Sequence, residues 1–497
     1  MDNLLLGFGV ALEPINLLFV VLGALLGTII GLLPGLGPTA TIALLLPVTY
    51  TMEPTTAIIF LAGIFYGSMF GGRIPAILLN VPGDGAAVVT TLDGYPLKQQ
   101  GRAGVALSIT AVGSFIGGLV ALLGIVAFIP YLSRFALGFG PPELFLLAFL
   151  GLMLIALLAS GTMSRGLLSA ALGIFIAMIG FDSITGTPRF TLGEANLLDG
   201  ISIVPLAVGL FGISEVMMQA EQRFRGVSVS VLGNIWPKLS EITALKGAIT
   251  RSSIIGFFLG LMPGGGGAMA SVVGYGVEKR FSKHPEKFGH GAMDGLAATE
   301  TADNAGANSS FVPLLTLGIP PNPVIALIGS ALILQGITPG PDLVQSNPDV
   351  FWGLIASMFI GLVVLFVLNL PLIGLFVQIL RVPPLPLAGT ILALAIAGTF
   401  SIRSSLFDVF LLVLFGLVGY ALRRCGVPLG PLVIGFILAP IMESELRRSL
   451  ILSGGEFSIF LDRPISAGIL ILAGTLTVIT LTRAAYSRLR RRERVEV

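Results

Sequence analysis

Long apolar runs, rather than alternating polar and apolar positions, dominate this sequence. A membrane-crossing helix needs about 20 apolar residues, because the hydrocarbon core of a bilayer is about 30 Å thick. Each apolar run that approaches or exceeds this length is predicted to be a spanning helix. The runs are Ile15–Leu33, Gly104–Ile129, Leu144–Ser160, Gly166–Phe181, Gly200–Met218, Val350–Leu380, Val382–Ile402, Leu406–Leu422, Val427–Met442 and Pro464–Leu481. This pattern predicts an all-α integral membrane protein.

Two further stretches, Pro34–Gly83 and Gly247–Pro341, are apolar on average but are interrupted by clusters of proline and glycine. Proline removes a backbone donor and ends a helix, so we expect half-helices and re-entrant hairpins there. Together with the long runs they give about 10–12 membrane elements by the same length rule. The long run Val350–Leu380 is expected to tilt, or to bend near Pro371.

A repeated motif relates the two interrupted stretches. Residues 27–37 read GTIIGLLPGLG and residues 256–266 read GFFLGLMPGGG, at a spacing of 229 positions (256 − 27). Further on, IPAILLNVP at 74–82 matches VPLLTLGIP at 312–320, at a spacing of 238 positions (313 − 75). Because both matches occur in the same order, we infer an internal duplication.

Charged residues flank the two copies with opposite sign. No Lys or Arg precedes Arg73, so the first copy, at 27–83, follows acidic residues only, whereas basic residues surround the second copy, at 256–323. Basic loops stay in the cytoplasm, so we expect the copies to enter the membrane from opposite sides, as inverted repeats. A parallel duplication is the alternative.

The distribution of polar residues also divides the chain into four parts. Residues 1–218 form the first repeat half and residues 251–482 form the second. The basic linker 219–250 and the arginine-rich tail 483–497 are expected in the cytoplasm, which makes the C-terminus cytoplasmic. We interpret the tail as a determinant of topology near anionic membrane lipid rather than as a site for a specific partner.

Composition supports a membrane protein and argues against other classes. Only 11% of residues are charged and the mean hydropathy is +0.97, whereas soluble domains carry about 25% charged residues. The net charge of +2 provides no field for nucleic acid. One cysteine, Cys425, and two histidines, His284 and His290, supply neither a metal cluster nor a nucleophile–base pair. We therefore expect no enzyme, no metal and no cofactor beyond a coupling ion, Na⁺ or H⁺.

The repeated breaks carry the candidate binding chemistry. Half-helix N-termini have partial positive charge and bind carboxylates, whereas unwound backbone carbonyls bind Na⁺. Glycines and small polar residues crowd around the breaks, and we predict that they bind an anionic substrate. These residues are Gly35, Gly37, Thr39, Thr41, Tyr66, Ser68, Asn80, Gly264, Gly265 and Gly266. The alternative is that the glycines serve only close packing and kinks.

A polar stripe follows in the second copy. Glu300, Asn304 and Asn308 are four positions apart and share one face of a predicted helix. We predict that Asn304 and Asn308 contact substrate and that Glu300 and Asp303 hold the coupling ion. Helix–helix hydrogen bonding is the alternative for this stripe. Arg73 is expected either to pair with a substrate carboxylate or to lie at the membrane interface.

At these motifs the sequence resembles the large membrane subunit of tripartite tricarboxylate transporters, the TctA family. The matching segments are GLLPGLGPT (31–39), YGSMFGGRIPAILLNVPGD (66–84), LDGYPLKQQGRAG (92–104), GLMPGGG (260–266), ETADNAG (300–306) and PLLTLGIPPNP (313–323). The resemblance implies an ion-driven permease of the bacterial inner membrane for di- or tricarboxylates such as citrate. It also implies two partners, a small membrane subunit and a periplasmic solute-binding protein. An ion or solute channel, or an importer of another organic anion, is the alternative.

Overall fold

Helices make up nearly all of the regular structure in the computed structural model. The residues that it describes are 2–33, 37–136, 138–158, 162–182, 184–221, 235–262, 264–379 and 384–477. The predicted site residue Gly35 and the predicted tail 483–497 lie outside these ranges, as does part of the linker 219–250. Within them, six helices are long and apolar enough to cross a membrane, and six shorter apolar helices accompany them. The predicted all-α membrane fold is thus confirmed.

The first half of the chain contains the first repeat copy. Its helices are α1 (Asp2–Ala11), α2 (Pro14–Gly31), α3 (Pro38–Thr49), α4 (Pro54–Leu79), α5 (Ala87–Gln99), α6 (Ala103–Ala136), α7 (Pro141–Leu158), α8 (Met163–Ala177), α9 (Ile203–Ala207) and α10 (Ser214–Glu221). A short antiparallel hairpin of β1 (Gly180–Phe181) and β2 (Pro188–Arg189) follows α8. A π-helical turn over Val208–Ile213 joins α9 to α10.

The second half contains the second repeat copy. Its helices are α11 (Leu239–Ala244), α12 (Lys246–Gly260), α13 (Gly267–Phe281), α14 (Met293–Ser309), α15 (Phe311–Leu317), α16 (Pro323–Leu334), α17 (Leu343–Ser346), α18 (Pro348–Asn369), α19 (Ile373–Ile379), α20 (Pro384–Arg403), α21 (Leu406–Arg424), α22 (Gly430–Leu452), α23 (Ile459–Asp462) and α24 (Pro464–Thr477). The break between α18 and α19 lies at Pro371, where the sequence predicts a bend.

Two helix boundaries differ from the predicted ones for identifiable reasons. α8 ends at Ala177, before the predicted Phe181, because the chain turns into the hairpin at Gly180, whose φ is 124°. α22 continues to Leu452, past the predicted Met442. Its last turns are charged, so a search for apolar runs stops before the helix does.

Glycines bring α2 and α4 of the first copy into close contact. Gly27 lies against the backbone of Ile64, and Gly31 lies against the backbone of Ser68. A Cβ atom at either glycine would overlap a backbone carbonyl of α4. The Gly-x-x-x-Gly pattern of α2 therefore serves close helix packing.

The second copy packs in the same way. Gly256 of α12 lies against the backbone of Ala302, and Gly260 lies against that of Gly306, both in α14. The glycines follow those of the first copy by 229 positions and their partners follow by 238 positions (302 − 64). The two spacings found in the sequence thus relate residues that occupy equivalent contacts.

The two copies also end alike. The residue that follows α4 is Asn80, which has a φ of 59°, and the residue that follows α15 is Gly318, which has a φ of 72°. In each case the following amide donates a 3.3 Å hydrogen bond to the carbonyl of a proline, Pro75 or Pro313. Such a left-handed terminus satisfies a free carbonyl and turns the chain back toward its own helix.

The base of a copy is the loop between α3 and α4 in the first copy and the loop between α13 and α14 in the second. The short helices α5 and α16 connect each copy to the base of the other. Gln100, after α5, donates a 3.0 Å hydrogen bond to the carbonyl of His290, in the loop before α14. Gln335, after α16, donates a 2.8 Å hydrogen bond to the carbonyl of Thr49, at the end of α3. α14 and α15 run from the loop that contains His290 toward the segment after α16. Gly318, which follows α15, lies against the carbonyl of Pro339 in that segment. The copies are thus interlocked.

Candidate functional site

Four helices, α3, α5, α13 and α16, begin at one cavity of about 290 Å³. α3 belongs to the first repeat copy and α5 follows that copy, whereas α13 belongs to the second copy and α16 follows it. The residues that line the cavity are 37–39, 84–86, 265–268 and 322–324, together with Phe65 and Met69. This space, named the central cavity, is where both predicted breaks meet.

Two of the four helix starts carry a side-chain cap. Asp84 Oδ1 accepts hydrogen bonds of 2.8 Å from the N–H groups of Ala86 and Ala87 at the start of α5. Asn322 Oδ1 accepts a 3.0 Å hydrogen bond from the N–H group of Ile325 at the start of α16. Among the described residues, no side chain caps α3 or α13. Free N–H groups and partial positive charge at these two starts favour an anion.

A larger cavity of about 840 Å³, named the vestibule, adjoins the central cavity. Both cavities are lined by Gly265 and Ala268, so they are continuous along the start of α13. The vestibule extends to residues 426–431, between α21 and α22, and to Arg423. Arg423 forms an ion pair with Glu215 of α10.

A third cavity, of about 420 Å³ and named the distal cavity, lies beyond the segment 318–322. Pro320 lines the distal cavity, whereas the next residue, Pro321, lines the vestibule. Glu445 and Arg448, which form a 3.0 Å ion pair, also line the distal cavity. One extended segment therefore separates the two spaces.

An ionic cluster is buried behind the wall of the central cavity. Arg73 is fully buried, and Glu300 and Asp303 are 2% and 3% exposed. Thr90 donates a 2.5 Å hydrogen bond to Glu300 Oε1, and Arg73 Nη1 donates a 3.5 Å hydrogen bond to Ser114. The prediction of an interfacial Arg73 is wrong, because α4 continues beyond this residue and α6 covers it.

Several polar atoms of this cluster have no hydrogen-bond partner within the part of the chain that the structure describes. They are Nε and Nη2 of Arg73, Oε2 of Glu300 and Oδ1 of Asp303. Asp303 Oδ1 lies against Gly267 at the start of α13. Burial of unpaired charged atoms is costly, so the free oxygens of Glu300 and Asp303 are candidate ligands for a cation or proton. The described side chains contain no group of three His, Cys, Asp or Glu residues that could hold a metal ion.

The asparagines of the polar stripe form hydrogen bonds within the helix bundle, one between two helices and one inside α14. Asn304 Nδ2 donates a 2.8 Å hydrogen bond to Ser114 of α6. Asn308 Nδ2 donates a 2.7 Å hydrogen bond to the carbonyl of Asn304. Both are buried and neither lines the central cavity. Tyr66 is also buried, its ring centroid 5.7 Å from that of Phe311, and its hydroxyl has no partner among the described residues.

The structure brings together only some of the predicted substrate ligands. Gly37, Thr39, Gly265 and Gly266 line the central cavity, and Gly264 lines the vestibule.

The remaining predicted ligands lie elsewhere. Thr41 and Ser68 donate hydrogen bonds to carbonyls one turn earlier, Gly37 and Phe65. Asn80 is exposed at the end of α4 and is not part of the cavity lining.

Two residues of the central cavity, Asp84 and Asn322, are not among the site residues predicted from the sequence. Asp84 lies two positions after Pro82, which ends the repeated block 74–82. Asn322 lies two positions after Pro320, which ends the matching block 312–320. Extension of the 238-position alignment by two residues pairs them with each other (322 − 84), so a signal for them was present. The match is not visible as an identity in the sequence, because one residue carries a carboxyl group and the other an amide.

Comparison with known proteins assigns the chain to a family. The model of the "Tripartite tricarboxylate transporter TctA family" matches residues 17–434. An uncharacterized 52.8 kDa protein in the TAR-I ttuC' 3' region of Agrobacterium vitis is 46% identical over 488 residues, which cover 98% of this chain and 97% of that protein. An uncharacterized protein in the TAR-II ttuC' 3' region of the same organism is 48% identical over 233 residues, 47% of this chain and 96% of that protein. No solved structure matches the chain. The chain therefore belongs to the TctA family, the permease components of tricarboxylate transporters.

Proposed function

We propose that the chain takes up a di- or tricarboxylate across the bacterial inner membrane and that a Na⁺ or H⁺ gradient drives this uptake. The observation that carries the proposal is the pair of uncapped helix starts, α3 and α13, at one cavity. A carboxylate in this cavity accepts hydrogen bonds from backbone N–H groups without requiring an arginine. Thr39 supplies a hydroxyl group that can orient the substrate.

We assign the coupling ion to Glu300 and Asp303. Their unpartnered oxygens lie in the buried cluster behind the cavity, and Arg73 is the cation whose charge acts on both. Two carboxylates beside one guanidinium leave an excess negative charge. A bound Na⁺ or proton neutralises that charge and lowers the cost of burying a substrate anion nearby.

Transport requires that the central cavity face each side of the membrane in turn. We place the vestibule on the cytoplasmic side, because α21 ends there with Arg423 and Arg424 and basic residues stay inside. The segment 318–322 then acts as the barrier toward the periplasm. The interlocked copies would move as inverted repeats, in an elevator-like or rocking motion.

Two partners complete the proposed transporter. A periplasmic solute-binding protein would deliver the carboxylate to the distal side, and a small membrane subunit would accompany the permease. This proposal rests on the family, whose members normally work in tripartite transporters. Uptake that persists in cells lacking the binding protein would remove this part of the proposal.

A pair of substitutions at Ala268 tests the anion site. Ala268 is the second residue of α13, is exposed and lines both the central cavity and the vestibule. Ala268→Asp places a carboxylate over the free N–H groups, whereas Ala268→Asn places a neutral group of the same shape there. We expect Ala268→Asp to lower uptake of radiolabelled citrate and related carboxylates at least about tenfold relative to Ala268→Asn, ~1.4 kcal/mol.

The comparison is made at equal membrane expression, with Na⁺ and proton gradients imposed separately. Equal uptake by the two variants would contradict an anion site at this helix start. Downhill flux that continues after both gradients are collapsed, with no accumulation at any time, would instead favour a channel.

A further inference from the structure

Asp84 occupies a position at which the second repeat copy has a neutral residue, Asn322. Each residue caps a helix that begins at the central cavity, α5 or α16. Each uses Oδ1 to accept a hydrogen bond from the amide three positions later, Ala87 or Ile325. The same local structure is thus built once with an ionisable carboxyl group and once with an amide, so helix capping does not require the charge.

An ionised Asp84 has a negative charge, the same sign as the anion that the central cavity attracts. The uncapped starts of α3 and α13 favour an anion, but Asp84 lines the same cavity and is the only charged side chain in its lining among the described residues. Like charges that share a site destabilise each other. An ionised Asp84 therefore weakens carboxylate binding, and a neutralised Asp84 permits it.

Asp84 also connects the cavity to the buried ionic cluster. Its charge acts on Glu300 and on Asp303, neither of which lines the central cavity. Arg73 of α4 is the cation of the cluster, and it is directed toward Ser114 of α6. Nε and Nη2 of Arg73 have no hydrogen-bond partner among the described residues, so these atoms do not pair with the carboxyl group of Asp84 at the cavity wall.

The other charged groups of α5 and α13 do not line the central cavity. Asp93 of α5 accepts hydrogen bonds from the amides of residues 289, 291 and 292 before α14. The charged residues of α13, namely Glu278, Lys279 and Arg280, lie in its last turn. Asp84, Glu300, Asp303 and Arg73 are therefore the groups that face one another at this site.

We propose that Asp84 is the residue through which the coupling ion controls substrate binding. A proton on Asp84, or a Na⁺ bound to it, removes the repulsion and allows a carboxylate substrate to occupy the central cavity. Release of that ion on the low-concentration side restores the charge and expels the substrate. This inference rests on the proposed function and adds to it a residue that lines the substrate cavity and whose charge acts on the carboxyl groups of the ion cluster.

Equilibrium binding of radiolabelled citrate and related carboxylates to the purified full chain tests the proposal. One series varies Na⁺ at fixed pH, and the other varies pH without Na⁺. For the wild type we expect affinity to rise at least about tenfold with one of the two ions, ~1.4 kcal/mol. For Asp84→Asn we expect the higher affinity throughout, with no dependence on that ion.

Two further variants make the test specific. Asp93→Asn removes a capping carboxylate of the same helix outside the cavity, and we expect it to keep the ion dependence of the wild type. Asn322→Asp adds a second carboxylate to the cavity, and we expect it to lower affinity at least about tenfold when the ion is absent. This variant decides the matter by itself if Asp84→Asn does not fold.

The outcomes separate the inference from the proposed function. If the wild type binds with ion dependence and Asp84→Asn keeps that dependence, or if Asn322→Asp binds like the wild type, the role of Asp84 is wrong. The role of Asp84 is also wrong if the wild type binds a carboxylate with no dependence on either ion. If no carboxylate binds the wild type, the proposed function is wrong and the inference falls with it.

Discussion

At the scale of single residues, glycine has two separate uses in this protein. Gly27 and Gly256 sit in helices whose partners leave no room for a Cβ atom. Gly264 and Gly266 have φ values of 77° and 112°, in the backbone region that favours glycine. The glycine-rich motif therefore combines close packing within the helices with an unusual backbone at the break, and substrate binding by Gly264 and Gly266 stays a prediction.

Substitution of a packing glycine should reduce stability. In Gly27→Ala the new methyl group would overlap the backbone of Ile64 and push α2 away from α4. We expect a loss of about 1–3 kcal/mol, as for other overpacked interiors. Thermal unfolding of the purified chain in detergent measures the change.

Gly276→Ala is the matched control for this prediction. Gly276 also lies within a helix, α13, but a Cβ atom there meets nothing within 4 Å. Alanine favours helix by about 1 kcal/mol over glycine, so this variant should melt at or above the temperature of the wild type. A Gly27→Ala variant that melts like Gly276→Ala would mean that α2 and α4 are not held at this distance.

At the scale of helices and hairpins, Asn80 is placed as a cap of α4. Its φ of 59° is one that glycine adopts without strain and that a β-branched residue adopts at a cost of about 1–2 kcal/mol. We expect Asn80→Gly to retain stability and citrate uptake and Asn80→Val to lose stability. Loss of uptake in a stably folded Asn80→Gly variant would instead support the predicted role of this side chain as a substrate ligand.

The hairpin after α8 is held to α22 by an ion pair. Arg447 donates hydrogen bonds of 2.8 Å to both carboxylate oxygens of Asp182. These bonds, together with those from the N–H groups of Thr185 and Ile184, hold the pKa of the Asp182 carboxyl well below its usual range.

A depressed pKa in the folded state fixes the sign of the pH effect. The stabilisation by Asp182 is present above the ordinary carboxyl pKa of about 4 and is lost as the pH falls further. We expect the melting temperature of the wild type to decrease more steeply in this acidic range than that of Asp182→Asn. Parallel curves for the two proteins would show that the ion pair contributes nothing measurable.

The sequence predicted the repeated parts of the fold better than the parts that differ between the copies. Gly27 and Gly256 are the same residue in both copies because any larger residue would separate two helices. The repeat can therefore be recognised from sequence identity. Asp84 and Asn322 perform the same capping with different residues, and that equivalence appears only in three dimensions. The exposure of Asn80 could not be predicted either, because a polar residue suits a cap and a binding site equally well.

At the scale of the whole molecule, the direction of each copy decides how the cavities relate to the two sides of the membrane. Thr51 lies between α3 and α4 at the base of the first copy, and Glu286 lies between α13 and α14 at the base of the second. Both residues are exposed, and the single cysteine, Cys425, is exposed after α21. Cysteines at these positions can therefore report sidedness.

Inverted repeats predict opposite labelling of the two bases. In a Cys425→Ser background, a membrane-impermeant maleimide added to spheroplasts should label Thr51→Cys, whereas Glu286→Cys should require permeabilised membranes. Native Cys425 should behave like Glu286→Cys, because the vestibule is assigned to the cytoplasmic side. If both bases label from the same side, the copies are parallel. Two copies that are related by a two-fold axis in the membrane plane could then not open the central cavity to each side in turn. The transport motion would need a different origin.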